Sequence, residues 1–405
     1  MLFRSVVGFS GSDGQDVIVL PLSDWHGVAA GRRVTRISRD DAIFPDASWL
    51  GRVVDPFGAP LDGGPALGAG PRARPVRAAA PGAMTRRRVG PKMETGIRAM
   101  DIFTPLCRGQ RMGVFAGSGV GKSTLMAMLA RQAAADVIVV GLVGERGREV
   151  REFVENDLGE EGMARAVVVA ATSDAAPLER RQAAWTATAL AEHYRDTGAH
   201  VLLMLDSVTR FAMAQREIGL AAGEPPTAKG YPPSVFAEMP RLLERAGPGP
   251  EGAGDISALY TVLVDGGDHD EPVADALRGI TDGHIVLDRA IAERGRFPAI
   301  DLLASVSRML PSCHAEIERR ILAAARGALA RYADMEEMIR VGAYQEGTDP
   351  ETDRAQRLAK PIEAFLTQAK GSATPSAEAF AELYGHLAEA GIAVEIPDMQ
   401  EPGAP

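Results

Sequence analysis

The sequence predicts an α/β fold on a parallel sheet, with a small β domain before it and a helical domain after it. Three observations predict this. Short apolar runs recur from about Gly96: "MGVFA", "VIVVGLVG", "VVVAAT", "VLLMLD" and "LYTVLV", separated by segments long enough for helices. Near-continuous Val/Ile/Leu runs suit strands buried on both faces, and alternation with helices implies parallel order. Directly after the first run stands the glycine-rich "FAGSGVGKST", which opens the helix-like "KSTLMAMLARQAA". Beyond Pro311 the strand pattern stops, and Ala-rich segments with helical spacing take over.

In chain order, residues 1–70 are punctuated by Gly, Pro and Asp and rich in Val and Ile. "DVIVLPL", "RRVTRIS" and "WLGRVVDPFGAPLDG" read as brief strands joined by turns. Residues 71–95 are crowded with Pro, Gly and Arg and lack an apolar period, which reads as a solvated connector. The alternative is a positively charged lip on a nucleotide site or a central pore. Residues 96–310 carry the sheet pattern. Residues 311–395 form the helical domain, where Ile317, Ile321, Ala324 and Ala328 share a helical spacing, and 396–405 read as a flexible tail.

Composition narrows the classes of function. The chain is 46% apolar and 24% charged, which is ordinary for a soluble protein. No apolar run reaches the roughly 18 residues that a bilayer demands, and the first residues show no signal-peptide pattern. Cys107 and Cys313 lack metal spacing and read as two reduced thiols of a cytosolic protein. A net charge of −10 argues against a nucleic-acid track.

The glycine-rich loop suits a phosphate chain. It runs Gly117, Ser118, Gly119, Val120, Gly121, Lys122, Ser123, Thr124. Its glycines let backbone N–H groups converge on oxyanions at positive φ, where side chains clash. The helix start adds the positive end of a dipole. Lys122 supplies a charge for the β- and γ-phosphates, and the Ser123 hydroxyl fits Mg²⁺. The first motif position holds Ala116, small enough for the turn.

Parallel sheets bind ligands at the carboxyl ends of their strands, which places the chemistry at Ala116, Gly144 and Asp206. Asp206 closes an apolar run and is placed to hold Mg²⁺ through water; its bland alternative is a helix cap. Glu145 follows "VIVVGLVG" and suits a base that positions the attacking water. Its alternative is a surface partner for Arg146 or Arg148. The Asp/His-rich "DGGDHDE" lacks regular ligand spacing and reads as a polar loop.

"GLVGERGREVREF" resembles the catalytic subunits of the rotary ATPase superfamily. "GEPPTAKGYPPSVFAEMPRLLERAG" and "GITDGHIVLDRAIAERGRFPAIDLLASVSR" narrow the resemblance to the flagellar and type III secretion export ATPases. It runs from about Val6 to Thr367, and "LVDGGDHDEPVADALRGI" tilts it toward the flagellar branch. The resemblance implies a homo-hexameric ring of RecA-like P-loop domains that bind ATP and Mg²⁺, with sites between subunits. Each subunit would carry an N-terminal β-barrel domain and a C-terminal helical domain. Arg308, in "SVSR", matches the arginine finger that reaches a neighbour's site, and Phe297, in "RFPAID", matches the aromatic packed on adenine. Arg210 is expected to touch phosphate or orient the site. Relatives begin with an amphipathic helix and further barrel strands, whereas Met1 here falls at "FRSVVGFSG", so an incomplete barrel is expected. That helix is the family's docking site for its stator-like regulatory partner and the membrane.

The function so implied is ATP hydrolysis that energises export of flagellar proteins, releasing or unfolding chaperone-bound substrates at the membrane export gate. The implied partners are stator-like and stalk subunits, chaperone–substrate complexes and the gate, with no nucleic acid. The place implied is the cytoplasm, peripheral at the inner face of the membrane. Competing readings are a virulence type III secretion ATPase and an ATP synthase β-like subunit, the latter separated only by "KGYPPS" and "DGHIVL". A non-catalytic ring subunit is disfavoured by Glu145, and a ring helicase by the acidic balance.

Overall fold

The computed structural model describes residues 3–10, 16–21, 41–264 and 271–394. Its strands are β1 (Phe3–Ser10), β2 (Asp16–Pro21), β3 (Ala42–Ile43), β4 (Val53–Val54), β5 (Arg74–Pro75), β6 (Arg111–Ala116) and β7 (Val137–Glu145). There follow β8 (Ala166–Thr172), β9 (His200–Asp206), β10 (Gly247–Pro248), β11 (Asp255–Leu263), β12 (Gly283–Leu287) and β13 (Ile300–Ser307). The α-helices are α1 (Arg98–Phe103), α2 (Lys122–Gln132), α3 (Gly147–Glu152), α4 (Gly159–Met163), α5 (Pro177–Asp196) and α6 (Val208–Ala221). They continue with α7 (Pro233–Leu243), α8 (Pro272–Ile280), α9 (Arg289–Glu293), α10 (Glu316–Arg340), α11 (Pro350–Leu366) and α12 (Ser376–Glu389). By contacts the chain forms two compact units. The first takes the described residues of Met1–Gly90, Arg108–Ser118 and Ala135–Asp282; the second takes those of Pro91–Cys107, Gly119–Ala134 and Gly283–Pro405.

In the first unit the five expected apolar runs become β6, β7, β8, β9 and β11. They lie side by side in the order β6-β11-β9-β7-β8, all parallel. Every residue of β9 and all but the last of β7 are buried, which is why their sequences show no polar alternation. Helix α5 packs along β7, β8 and β9 with an Ala-rich face. The close approach explains Gly141 inside β7: a Cβ there would stand 2.5 Å from Leu205 Cδ2 and 3.0 Å from Ala187 Cβ. Each large apolar side chain buried here contributes about 1.5–3 kcal/mol.

Two features of this unit depart from the sequence reading. Val53–Val54, expected among the strands of a small β domain, pairs with Val168–Val169 and extends the main sheet. Both valines are buried, and Trp49 beside them joins the same core. The Pro/Arg-rich stretch is also more than a solvated connector. Arg74 pairs with Asp196 at 2.6 Å, Arg86 donates to the carbonyls of Pro81, Ala246 and Glu244, and Arg87 donates to those of Ala253 and Gly254 and to Asp255. The turn before β11 leaves carbonyls that the strand ladder does not use, and guanidinium forks fill them. Elsewhere β1 pairs with β2 and β3 with β5, both antiparallel. Residues 22–40 of the expected β domain lie outside the described residues, as do the Asp/His-rich loop at 265–270 and the expected tail.

The second unit contains α2, the antiparallel pair β12–β13 and the helical domain. Helices α10, α11 and α12 pack on one another, burying Ile321, Leu322, Leu358, Phe365, Leu383 and Leu387. Asp349 caps α11, accepting from Glu351 N and Thr352 N, and Pro350 follows at the first helical position. Among the described residues no helix is long and apolar enough to cross a membrane.

Candidate nucleotide site

The parallel order of the first unit's sheet brings the ends of β6, β9 and β7 to one edge. Val264 N donates to Ala116 O at 3.0 Å, so β6 is held to its last residue before the half-buried Gly117 and the exposed Ser118. Asp206, on the middle of that edge, is 5% exposed. Its Oδ1 accepts from the Thr261 hydroxyl at 2.7 Å, a bond that fixes the carboxylate. The cap of α6 is the next residue: Ser207 Oγ accepts from Arg210 N at 3.3 Å. With Ser207 in that role, Asp206 is spared the bland alternative.

Glu145 is the last residue of β7 and stands farther along the edge, since Leu142 is the partner of Asp206 in register. Its backbone carbonyl accepts from Ser173 N at 3.0 Å, and its Oε1 is shielded from solvent. Arg146 and Arg148 form ion pairs with Glu149 and Glu152. Before Glu145, Gly144 sits at φ +72°, and a Cβ there would stand 3.1 Å from Cβ, 3.3 Å from Cγ and 3.4 Å from Cδ of Arg210. The stem of Arg210 thus crosses the backbone next to Glu145. Its Nε is buried and finds no hydrogen-bond partner among the described residues. A buried guanidinium nitrogen without an acceptor is costly, and an anionic oxygen would relieve that cost.

The rest of the loop belongs to the second unit. Gly119 and Gly121 hold φ at +77° and +93°. Val120 is 2% exposed and anchors the loop, whereas Ser118, Gly119 and Ser123 face solvent, and Lys122 and Thr124 are half-buried. Gly121 is the N-cap of the 11-residue α2 and offers no side chain to its N–H groups. Such a helix start is ready for an anion. The half-buried Phe297 ring packs on Gly121, and its backbone is tied by Gln368 N donating to Phe297 O at 2.8 Å. Arg308 follows β13 and is exposed, beside Leu303 and Val306, which are 40% and 43% exposed. An apolar strand face in solvent suits a protein contact.

The Asp206 carboxylate of the first unit and the Ser123 hydroxyl of the second are each a hard oxygen of the kind Mg²⁺ takes, and among the described residues no group of three or more His, Cys, Asp or Glu forms a metal cage. Magnesium is typically held by one or two carboxylates together with nucleotide phosphates.

Sequence reasoning missed three supporting groups: Thr261, Ser207 and the fit of Gly144 to Arg210. A threonine inside "LYTVLV", where every neighbour is apolar, was the available signal for the first.

Comparison with known proteins gives a consistent picture. Residues 96–307 match the ATP synthase alpha/beta family, nucleotide-binding domain, and residues 316–385 match the T3SS EscN ATPase C-terminal domain. The "Flagellum-specific ATP synthase" of Caulobacter vibrioides is 55% identical over 383 residues, covering 93% of this chain and 86% of the relative. The "Type 3 secretion system ATPase" of Xanthomonas euvesicatoria is 49% identical over 368 residues, 90% of this chain and 81% of the relative. Among solved structures, the assembled ATPase EscN of the enteropathogenic E. coli type III secretion system is similar with a TM-score of 0.87. It is 41% identical, covering 92% of this chain and 89% of that one. EscN has also been solved in complex with its central stalk EscO, with a TM-score of 0.86 and 40% identity, over 94% of this chain and 91% of that one.

Proposed function

The chain belongs to the ATP synthase alpha/beta family, in the branch of the flagellar and type III secretion ATPases, and from that premise we propose that it is an ATPase that energises flagellar protein export. It works as a homo-hexameric ring on a central stalk, by analogy with the assembled EscN and its EscO complex. The observation that carries the catalytic reading is the pair Glu145 and Arg210, a carboxylate at a strand end with an acceptor-seeking guanidinium laid across the adjoining glycine.

In this reading the N–H groups of Gly117, Ser118, Gly119, Val120, Gly121 and Thr124, with Lys122, grip the phosphates. Phe297 packs on the adenine, and Arg210 meets an outer phosphate oxygen. The Glu145 carboxylate orients the attacking water and receives its proton, while the bond from phosphorus to the leaving ADP oxygen breaks. Ser123, and Asp206 through water, would hold Mg²⁺, whose chemistry is to neutralise charge on the phosphate oxygens. Arg308 acts on a neighbouring subunit's nucleotide. Such an arginine is worth about 10³–10⁵ in rate. The exposed apolar residues beside it support that placement.

The work done is the release or unfolding of chaperone-bound substrates at the membrane export gate. It takes place in the cytoplasm at the inner face of the membrane, with a stator-like regulatory subunit as a further partner. A virulence secretion ATPase is the second reading, favoured by the likeness to the Xanthomonas protein. A strain lacking the gene decides between them. Loss of motility and of flagellin secretion, restored by the intact gene and not by Lys122→Ala, is the expected outcome; a motile deletion strain overturns the flagellar reading.

A further inference from the structure

The two cysteines, far apart in sequence, lie on segments that meet in the second unit, and the thiol of each shifts the ionisation of the other. Several bonds fasten the two segments that carry them. Ser307 Oγ donates to Pro105 O at 2.8 Å, and His314 Nε2 is bonded to Ile102 O at 2.9 Å. Lys92 forms a backbone bridge with Cys107, and its ammonium lies 3.7 Å from Glu318, whose carboxylate is 3.5 Å from His314 Nδ1. The pair is asymmetric. Cys107 is 1% exposed, whereas Cys313 is half-buried and open to a small reagent.

The same asymmetry governs reactivity. The hydrogen bond from Cys107 draws the Cys313 thiol below the ordinary thiol range, against the opposing effect of burial. That bond and burial together push Cys107 up, and the Lys92 ammonium favours the thiolate at both. A half-buried cysteine whose thiol is made more acidic, beside a buried one made less acidic, is the arrangement of an attacking and a resolving cysteine.

We propose that Cys107 and Cys313 are an oxidisable dithiol, closed to an intrachain disulfide by a hydroperoxide, and that closure slows ATP hydrolysis. The Cys313 thiolate attacks the peroxide oxygen, giving a sulfenic acid and releasing hydroxide. The Cys107 sulfur then attacks the Cys313 sulfur, forming the S–S bond and expelling the sulfenic oxygen as water. The two thiol protons complete two waters, so hydrogen peroxide is reduced as both thiols are oxidised. Closure draws the two sulfurs together to about 2.05 Å. Cys107 is buried and bridged, so the turn carrying Cys313 makes the movement. Cys313 N donates to Met309 O at 3.1 Å, which passes the displacement to the residue next to Arg308. The effect on turnover therefore rests on the reading of Arg308 given above.

The test treats the full chain with hydrogen peroxide and follows intact mass, peptide map and ATPase rate. The expected result is loss of two hydrogens per chain, a peptide joining Cys107 to Cys313, and a severalfold loss of turnover that dithiothreitol restores. Cys313→Ser, or Cys313→Ala where serine unfolds the chain, keeps its untreated turnover and ignores peroxide. Cys107→Ser halts at a Cys313 sulfenic acid that dimedone traps. Two intact thiols after treatment, or disulfides only between chains, overturn the proposal. Untreated Arg308→Ala is measured alongside. If disulfide forms with turnover unchanged while Arg308→Ala is inactive, control by the dithiol is overturned and Arg308 stands. If oxidation slows the parent while Arg308→Ala turns over normally, the dithiol stands and the Arg308 reading falls.

Discussion

The ring of Phe297 lies on Gly121: a Cβ built on that glycine would stand 3.1 Å from both Cδ1 and Cε1. The glycine also holds φ at +93°, where a side chain is strained by about 1–2 kcal/mol. Gly121→Ala is therefore expected to distort the phosphate loop and displace the ring. Circular dichroism should show a folded chain, and the thermal shift that ATP gives the parent should vanish. A preserved shift contradicts the assignment of the loop.

Thr261 holds Asp206 from the neighbouring strand at 2.7 Å. Thr261→Val removes that donor from a buried carboxylate, at a cost of about 1–3 kcal/mol in stability. Denaturant unfolding measures the loss. Asp206→Asn is expected to raise the Mg²⁺ concentration needed for half-maximal ATP hydrolysis, and an unchanged magnesium titration counts against the metal role.

Arg308→Ala should bind ATP as the parent does and hydrolyse it poorly. Mixed with Glu145→Gln subunits, it should recover part of the turnover, because each subunit supplies the group that the other lacks. Turnover per chain should also rise with protein concentration as the ring assembles. Absence of recovery in the mixture contradicts action across an interface.

Asp101 adds a pH dependence. Burial lifts its carboxyl to about 6, against the bonds from Thr95 and Gly96 that favour the ionised form. The folded chain thus binds the proton more tightly than the unfolded chain, whose carboxyl titrates near 3.8. This stability is full below the unfolded pKa and is lost as pH rises from near 4 through about 6, amounting to about 3 kcal/mol at most. Asp101→Asn should remove that slope. Unfolding midpoints of parent and variant that run parallel from pH 4 to 7 contradict the assignment.

The sheet was legible because burial on both faces writes itself as unbroken apolar runs, and β6, β7, β8, β9 and β11 begin and end close to those runs. The glycine-rich turn before α2 was legible because positive φ, found at Gly119 and Gly121, favours glycine. Less legible were interactions that carry no periodicity. Val53–Val54 is too short to announce which edge it joins. The arginines at 86 and 87 look solvated until spare backbone carbonyls are placed opposite them, and Arg74 until Asp196 is. The Cys107–Cys313 pair depends on tertiary contacts between segments far apart in the chain.

The account turns on the acid at the end of β7. Steady-state ATP hydrolysis by Glu145→Gln, with binding followed in parallel by thermal shift, tests it most directly. The prediction is a variant that binds ATP and assembles like the parent while its turnover falls to background. Parental turnover in that variant would contradict the catalytic reading at its root.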